Sequence, residues 1–479
     1  MEMPPLSDTK IFTGLRLFFA ACFSVAVLAV ITVYYPLLGT ILFLAGLLFL
    51  VSKSEGLSAR WFSLCLFGVS LLIHLAAVTF ITTPIVSDFA TQYEASRQFA
   101  QGDFSFQESS YFQRWGYQTG LVIWQGLLLK VWDSPAFLRL VNCLVSAGTN
   151  VLLYLIARDY FAERAARLAS LAYAFFLYPA TLVTVLCNNI PSAFFLFLCL
   201  YLVMGKRFEK YPRLAVYAGA GASLALANAL RPDAPLVLVP LLAYFIFRFL
   251  SKASWKNFLA YLQRFLALFL TFLVLSAALS ALVRVTGVNA AGLDNHDPLW
   301  GVVVGTNPKW QGVYHDENGD AIAAKMEEGL DRTRAELAVI KDHVSTSPIA
   351  LVELAVSKLR TLWWDRALGW SMSSVGENYP TLYQLLQDLD RAMFTCALVL
   401  AAWGAVSLFR RPKGDFKAYL IPFVIFAACC VYLVMEVQPR YAYVGQIALF
   451  ILMAGGVEAL CSLAAAVLQK RKLPHKKSS

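Results

Sequence analysis

Apolar residues in this chain gather into long runs separated by short clusters of Lys and Arg. A helix needs about 20 such residues to cross about 30 Å of hydrocarbon, and twelve runs approach that length. They are Leu15–Tyr34, Leu37–Val51, Trp61–Ile81, Phe137–Ala157, Ala165–Leu182, Ile190–Met204, Leu214–Leu230, Pro235–Phe249, Phe265–Val283, Ala392–Phe409, Ala418–Met435 and Tyr441–Ala466. The shortest are Leu37–Val51, Ile190–Met204 and Pro235–Phe249. The pattern predicts an all-α polytopic membrane protein, a bundle of about twelve transmembrane helices. Two long stretches, 82–135 and 284–391, interrupt it. They divide the chain into an N-terminal transmembrane part (1–283, with the first loop at 82–135), a second loop (284–391) and C-terminal helices with a basic tail (392–479).

The loops carry shorter periodic segments. Phe89, Tyr93, Ser96 and Phe99 recur at helical spacing and stop at Gly102-Asp103, which predicts an amphipathic helix lying in the interface. Tyr117–Trp132 is apolar but broken by Gln118, Gln125 and Lys130. Counting it as a span would invert every later loop against the charge pattern, so it reads as a re-entrant or interfacial helix. In the second loop, Asp320–His343 has the charge mixture of a solvated helix. Ile349–Trp370 brings tryptophans and arginines suited to the headgroup layer. No internal repeat is visible, which argues against an inverted-repeat transporter.

Composition agrees: of 479 residues, 59% are hydrophobic and 15% charged, against about a quarter charged in soluble domains. Charge then sets the orientation. With the N-terminus inside, the cytoplasmic segments collect 24 of the 40 basic residues and 8 of the 30 acids, a net of +16, and the other face carries −6. Basic short loops on one side are the positive-inside signature. Both termini are therefore expected in the cytoplasm and both long loops outside, in an inner or plasma membrane. The net charge of +10 is a topology signal and implies no nucleic-acid partner. The first apolar run lacks a small-residue cleavage site and reads as an anchor. The nine cysteines lie in or beside apolar runs without a CxxC pair, so neither disulfides nor a zinc site is expected.

Acids are scarce near the bilayer, where ionisable groups are costly and usually functional. Asp88 follows a span directly, in Ser87-Asp-Phe-Ala-Thr-Gln-Tyr-Glu-Ala-Ser96, at the predicted outer mouth of the bundle. The bland reading of Asp88 is an N-cap for the helix that follows. Arg114-Trp115, Asn188-Asn189, Arg231 in Leu230-Arg-Pro-Asp233, and Arg440-Tyr441 in Glu436-Val-Gln-Pro-Arg-Tyr441 also fall at outer ends or in outer loops. The bland readings here are an interfacial anchor for Arg114, helix caps for the asparagines, an Arg231–Asp233 pair and an Arg440–Glu436 pair.

The order of a leading span, an outer loop opening on an acid, and Arg158-Asp-Tyr-Phe-Ala-Glu-Arg-Ala-Ala-Arg-Leu-Ala after the next span resembles the bacterial protein-O-mannosyltransferase-like family. Leu177-Tyr-Pro-Ala, Asn188-Asn-Ile-Pro-Ser-Ala-Phe-Phe and the Arg-Tyr element before the last span add to it. These are membrane glycosyltransferases of the GT-C fold, among them the aminoarabinose transferase of lipid A. The likeness is best over residues 75–250. It departs where many relatives carry an Asp-Glu pair at Ser87-Asp88 and Pro-Asp at Asn189-Ile-Pro191.

The resemblance implies an inverting glycosyltransferase that moves a sugar from a polyprenyl-phosphate donor to an extracytoplasmic acceptor, whether lipid, wall polymer or protein. It implies Asp88 as catalytic base and Arg231 as a cation near the donor phosphate; Arg440, whose guanidinium can grip phosphate bidentately, and Arg114, which could bind sugar or phosphate, are the other donor-phosphate candidates. Trp115, Tyr93, Asn189 and Tyr441 would contact the sugar or acceptor. The alternative is a transporter or flippase of lipid-linked glycans; the crowding of ionisable residues on one face favours the enzyme. No metal site is read: His74 stands alone in a span, His296, His315 and His343 lack ligand spacing, and Asp316-Glu-Asn-Gly-Asp320 reads as a solvated turn. No cofactor is assigned, and a divalent metal has no support in the spacing.

Overall fold

The computed structural model describes residues 35–251, 255–364, 368–410 and 416–472. Among these, the regular elements are helices, and one isolated bridge joins Trp115 to Asn295. The predicted run Leu15–Tyr34 lies outside the described residues.

The N-terminal part begins with α1 (Tyr35–Lys53) and α2 (Ala59–Phe80), followed in the first loop by α3 (Asp88–Gln101), α4 (Ser110–Arg114) and α5 (Thr119–Leu129). It continues through α6 (Pro135–Tyr160), α7 (Glu163–Ala174), α8 (Leu177–Leu182), α9 (Asn189–Met204), α10 (Arg213–Leu230), α11 (Pro235–Ser251) and α12 (Trp255–Val285). The second loop holds α13 (Trp300–Gly305), α14 (Glu317–Glu327), α15 (Arg332–Val344), α16 (Pro348–Trp363) and α17 (Ser373–Asn378). The last part is α18 (Pro380–Arg410), α19 (Leu420–Val434) and α20 (Tyr443–Lys472).

Among the described residues, six segments are long and apolar enough to cross a membrane: Ala59–Phe80, Pro135–Tyr160, Phe258–Val285, Pro380–Leu408, Phe416–Val434 and Pro439–Ala466. Each contains or closely overlaps one predicted run. Gly39–Lys53, Asn189–Met204 and Pro235–Phe247 are shorter apolar helices, at the three runs that were shortest in the sequence. Leu214–Leu230 forms α10.

Ala165–Leu182 is not one helix. The chain breaks between α7 and α8, because Pro179 has no N–H to give and its ring would strike the carbonyl four residues back. The exposed start of α8 is satisfied from elsewhere: the Tyr178 N–H donates to the Asp390 carboxylate at 2.8 Å. The predicted helix over Asp320–His343 is likewise two, α14 and α15, separated at Gly329, whose φ of +94° a non-glycine residue would resist. Asp331 restarts the chain as the N-cap of α15, accepting from the Arg334 N–H at 3.0 Å.

The core forms where small residues let helices meet. At Gly456 in α20, an added Cβ would lie 1.8 Å from the Leu400 carbonyl oxygen of α18. Backbones this close are how helices associate where no hydrophobic drive separates protein from lipid. Gly120, the second residue of α5, sits so tightly on α10 that a Cβ would lie 1.6 Å from the Ala229 oxygen. At 11 residues α5 cannot span a membrane. It is pinned instead between α10 and α3.

Candidate functional site

The first loop, the second loop and the ends of α10 and α19 enclose a cavity of about 1150 Å³. That exceeds the roughly 300–1,000 Å³ sufficient for a drug-sized ligand. Asp88, Trp115, Asn188, Arg231, Glu436, Arg440 and Tyr441 all line it, although up to about 350 positions separate them in sequence.

Asp88 occupies the first turn of α3, and the cap position falls on Ser87. The N-cap reading of Asp88 is therefore corrected: its carboxylate is not the cap. Ser87 holds φ +55° and ψ −141°, a conformation costly for a non-glycine residue, and makes no side-chain capping bond. Strain of order 1–3 kcal/mol persists only where surrounding structure enforces it, and it clusters at functional sites. Here it turns the chain so that Phe89 is buried against Trp370 (ring centroids 5.5 Å apart) while Asp88 stands exposed to the cavity. Among the described residues, the Asp88 carboxylate has no hydrogen-bond or ion-pair partner.

Arg440 faces the same space from the turn before α20. Its Nε donates to Gln438 Oε1 at 2.8 Å, and its guanidinium lies 4.7 Å from the Phe89 ring and 5.5 Å from that of Tyr441. No described acceptor takes its two terminal nitrogens. The expected Arg440–Glu436 pair does not form; Glu436 instead accepts from Gln438 Nε2 at 2.8 Å and from the Tyr441 hydroxyl at 3.5 Å. Arg440 is thus a largely buried cation, 8% exposed, with two donors left over. Buried charges are costly unless paired, so this arrangement invites an anion.

Arg231 is less free. It bonds Asp233 at 2.8 Å and Asn188 Oδ1 at 3.3 Å, and stacks 4.6 Å from the Tyr441 ring. The Asp233 pairing expected from Leu230-Arg-Pro-Asp233 is present. Burial raises the Asp233 carboxyl above its ordinary range, opposed by the adjacent guanidinium. Burial also raises Glu436, helped by the negative charge of Asp88, and pushes the Tyr117 hydroxyl up to about 12. The cavity therefore concentrates charges that act on one another.

Three residues named from sequence lie elsewhere. Arg114 stands behind the wall: it is paired with Asp297 and sandwiched 4.7 and 4.6 Å from the Trp115 and Trp300 rings. Tyr93 packs beside Leu129, Leu138 and Leu186 on the far side of α3. Asn189 is buried and donates to the Arg440 carbonyl oxygen at 3.0 Å, so it fixes the Arg440 backbone rather than facing the cavity. Its neighbour Asn188 lines the wall instead.

Sequence reasoning missed Tyr111, Trp300, Tyr314, Trp370 and Tyr432, which complete the lining. For Tyr111, Trp300, Tyr314 and Trp370 the only signal was aromatic residues in the two long loops, where function concentrates on a rigid scaffold; Tyr432 was hidden inside an apolar run. Among the described residues, no group of three or more His, Cys, Asp or Glu side chains is placed to hold a metal ion.

Comparison with known proteins adds the following. A family model described as dolichyl-phosphate-mannose-protein mannosyltransferase matches residues 121–276, which bears out the resemblance read from the sequence over that part of the chain. No curated protein matches. Among solved structures, the chain is similar to the archaeal oligosaccharyltransferase AglB from Archaeoglobus fulgidus, in complex with an inhibitory peptide and a dolichol-phosphate. That match has 12% identity and a TM-score of 0.43 over 87% of this chain and 52% of that one. The apo form of an oligosaccharyltransferase from the same organism gives 14% and 0.47, over 87% and 53%. The chain spans about half the length of these proteins.

Proposed function

We propose that the protein is an inverting glycosyltransferase of the GT-C type. It takes a sugar from a polyprenyl-phosphate donor and transfers it to an acceptor hydroxyl on the extracytoplasmic side of a cell membrane. The observation that carries this reading is the cavity in which the unpartnered Asp88 and the half-satisfied Arg440 face common space. The mannosyltransferase family match over residues 121–276 supports it.

The chemistry needs two things. Asp88 accepts the proton of the acceptor hydroxyl as that oxygen attacks the anomeric carbon. The bond from that carbon to the phosphate oxygen breaks, and the polyprenyl phosphate leaves with the bonding electrons. Negative charge grows on the leaving phosphate, where the terminal nitrogens of Arg440 meet it in bidentate geometry. Arg231, already shared with Asp233 and Asn188, adds positive field and holds the Tyr441 ring. Attack from the side opposite the phosphate inverts the anomeric centre. A phosphate leaving group needs no general acid, so one base suffices.

The test uses the purified full chain in lipid nanodiscs with a polyprenyl-phosphate sugar labelled in the sugar. Release of polyprenyl phosphate, with the label joined to an acceptor through the inverted anomer, is expected. Intact donor carried unchanged across the bilayer of proteoliposomes would instead establish the flippase.

A further inference from the structure

The cavity wall carries a row of aromatic rings that the transfer chemistry does not use. Tyr111 lies 5.3 Å from Trp115, Trp115 lies 6.4 Å from Trp300, and Trp300 lies 6.2 Å from Tyr314, centroid to centroid. All four line the cavity, and they come from both loops. We infer that this row is an acceptor platform and that the acceptor is a carbohydrate, with a sugar ring stacking on Trp300 beside Trp115. The inference rests on the glycosyltransferase reading above and names the substrate class it left open.

Rigidity is the first argument. Arg114 lies against both indoles and is tied to Asp297, which also accepts from Arg332 Nη2 at 2.9 Å. The Asp297 side chain is 1% exposed. Buried ion pairs of this kind are often no more stabilising than apolar residues of equal volume. What this one secures is the position of two tryptophans at the cavity wall, since a guanidinium stacks on indole faces. A cluster costly to bury is thus spent on orienting two rings.

Chemical match is the second. A sugar ring has an apolar C–H face and a polar rim of hydroxyls. The wall offers aromatic rings tilted 53–74° to one another, each presenting its own face or edge, and, beside them, the amides of Gln92, Gln118 and Asn295. Gln92 Nε2 already donates to the Tyr111 hydroxyl and to Gln118 Oε1, both at 2.9 Å, so this edge is preorganised. An acyl chain on the same wall would cover the Gln118 side-chain amide without giving its nitrogen a partner, at the cost of a desolvated polar group. A peptide docking through its backbone uses an extended edge, and the described residues offer only the isolated Trp115–Asn295 bridge.

Placement is the third. Asp88 lines the same cavity as the four rings, so a sugar held on the row shares that space with the base.

The test supplies nanodisc-embedded protein and labelled donor with an envelope extract from cells lacking the gene. The label is then located by glycosidase, protease and lipase digestion. Label released by glycosidase and resistant to the other two is expected. Trp300→Leu, which keeps an apolar side chain and removes the ring, should raise the apparent KM for the extract by about tenfold, near the upper worth of one ring contact. Its kcat should fall by a smaller factor, and Trp300→Phe should recover most of the loss. Tyr314→Leu, at a ring 52% exposed, should move KM in the same direction and guards against a folding defect at Trp300. Label on Ser or Thr of a protein, or on a lipid alcohol, would overturn the inference. So would an unmoved KM in both Leu variants, or a loss confined to kcat. A wild-type protein that never consumes the donor would sink the glycosyltransferase reading itself, which is a separate result.

Discussion

At the scale of single residues, the site is a matter of which charges are left unpaired. Asp88→Asn keeps the size and helix-start preference of the side chain but cannot accept a proton. Loss of a general base costs on the order of 10²–10⁴ in rate, so turnover should fall by that factor with thermal stability unchanged. Near-normal transfer by folded Asp88→Asn would send the search for the base to Glu436. Arg440→Ala should cost roughly 10²–10³, the worth of a donor aimed at developing charge, and Arg440→Lys should restore only part because it lacks the planar fork. Unchanged donor kinetics in Arg440→Ala would remove it from the phosphate site. The sequence was legible here to an uneven degree. Asp88, Arg231, Arg440 and Tyr441 could be read because each stands at the end of an apolar run, where an ionisable or amphipathic residue is conspicuous. Arg114 was equally conspicuous, yet its partner Asp297 lies 183 positions away, and no local pattern shows that its charge is already matched. Tyr93 shares a helix with Asp88 but points into the packing of α3 on its neighbours, a consequence of docking angle that periodicity alone leaves open.

At the scale of elements, the position of Asp88 depends on how α3 is held. The short helix α5 packs on α3 on one side and α10 on the other, with Gly120 at the tightest point. A methyl group there meets backbone, which cannot rotate away. Gly120→Ala should therefore cost about 1–3 kcal/mol or more, the range for overpacking, read as a lower unfolding midpoint in detergent. It should also lower kcat, because α5 can relieve the clash only by moving α3 and the base with it. A Gly120→Ala protein with wild-type midpoint and activity would show that α5 does not set that geometry. Helices of this kind were visible in the sequence as apolar stretches too short or too polar to span. Breaks were harder to see. Pro179 and Gly329 are ordinary residues in a linear reading, and each splits a predicted helix because one lacks an N–H and the other adopts a left-handed backbone. What makes the first break tolerable is Asp390, distant in sequence and supplied only by the fold.

At the scale of the whole molecule, the charge asymmetry predicts that both loops face the outside. Cysteines introduced at Ser105 and Glu327, both exposed, should react with a membrane-impermeant maleimide in intact cells; protection until lysis at both would invert the topology. The two loops are also joined to each other, and that joint should respond to pH. Arg114 of the first loop meets Asp297 of the second, and Arg332 bridges Asp297 and Glu336 (2.9 and 3.1 Å). Asp297 Oδ1 and Glu336 Oε1 are both buried without a hydrogen-bond partner. A proton on Glu336 lets that carboxyl donate to Asp297. Burial, with that contact, accordingly raises Glu336 from its ordinary 4.5 to about 8. A carboxyl whose folded pKa is raised binds more protons folded than unfolded, so its contribution is fully present below the unfolded value and is lost as pH rises. The window here runs from about 4.5 to about 8. Across it, the joint between the loops should loosen, and limited proteolysis within residues 284–391 should accelerate. Glu336→Gln can donate to Asp297 at every pH and carries no titrating group. It should flatten that pH dependence, holding the cleavage rate near its low-pH value through pH 8. Equal slopes for wild type and Glu336→Gln would mean that the loops are joined without this proton, and that the two arginines alone balance the pair of acids.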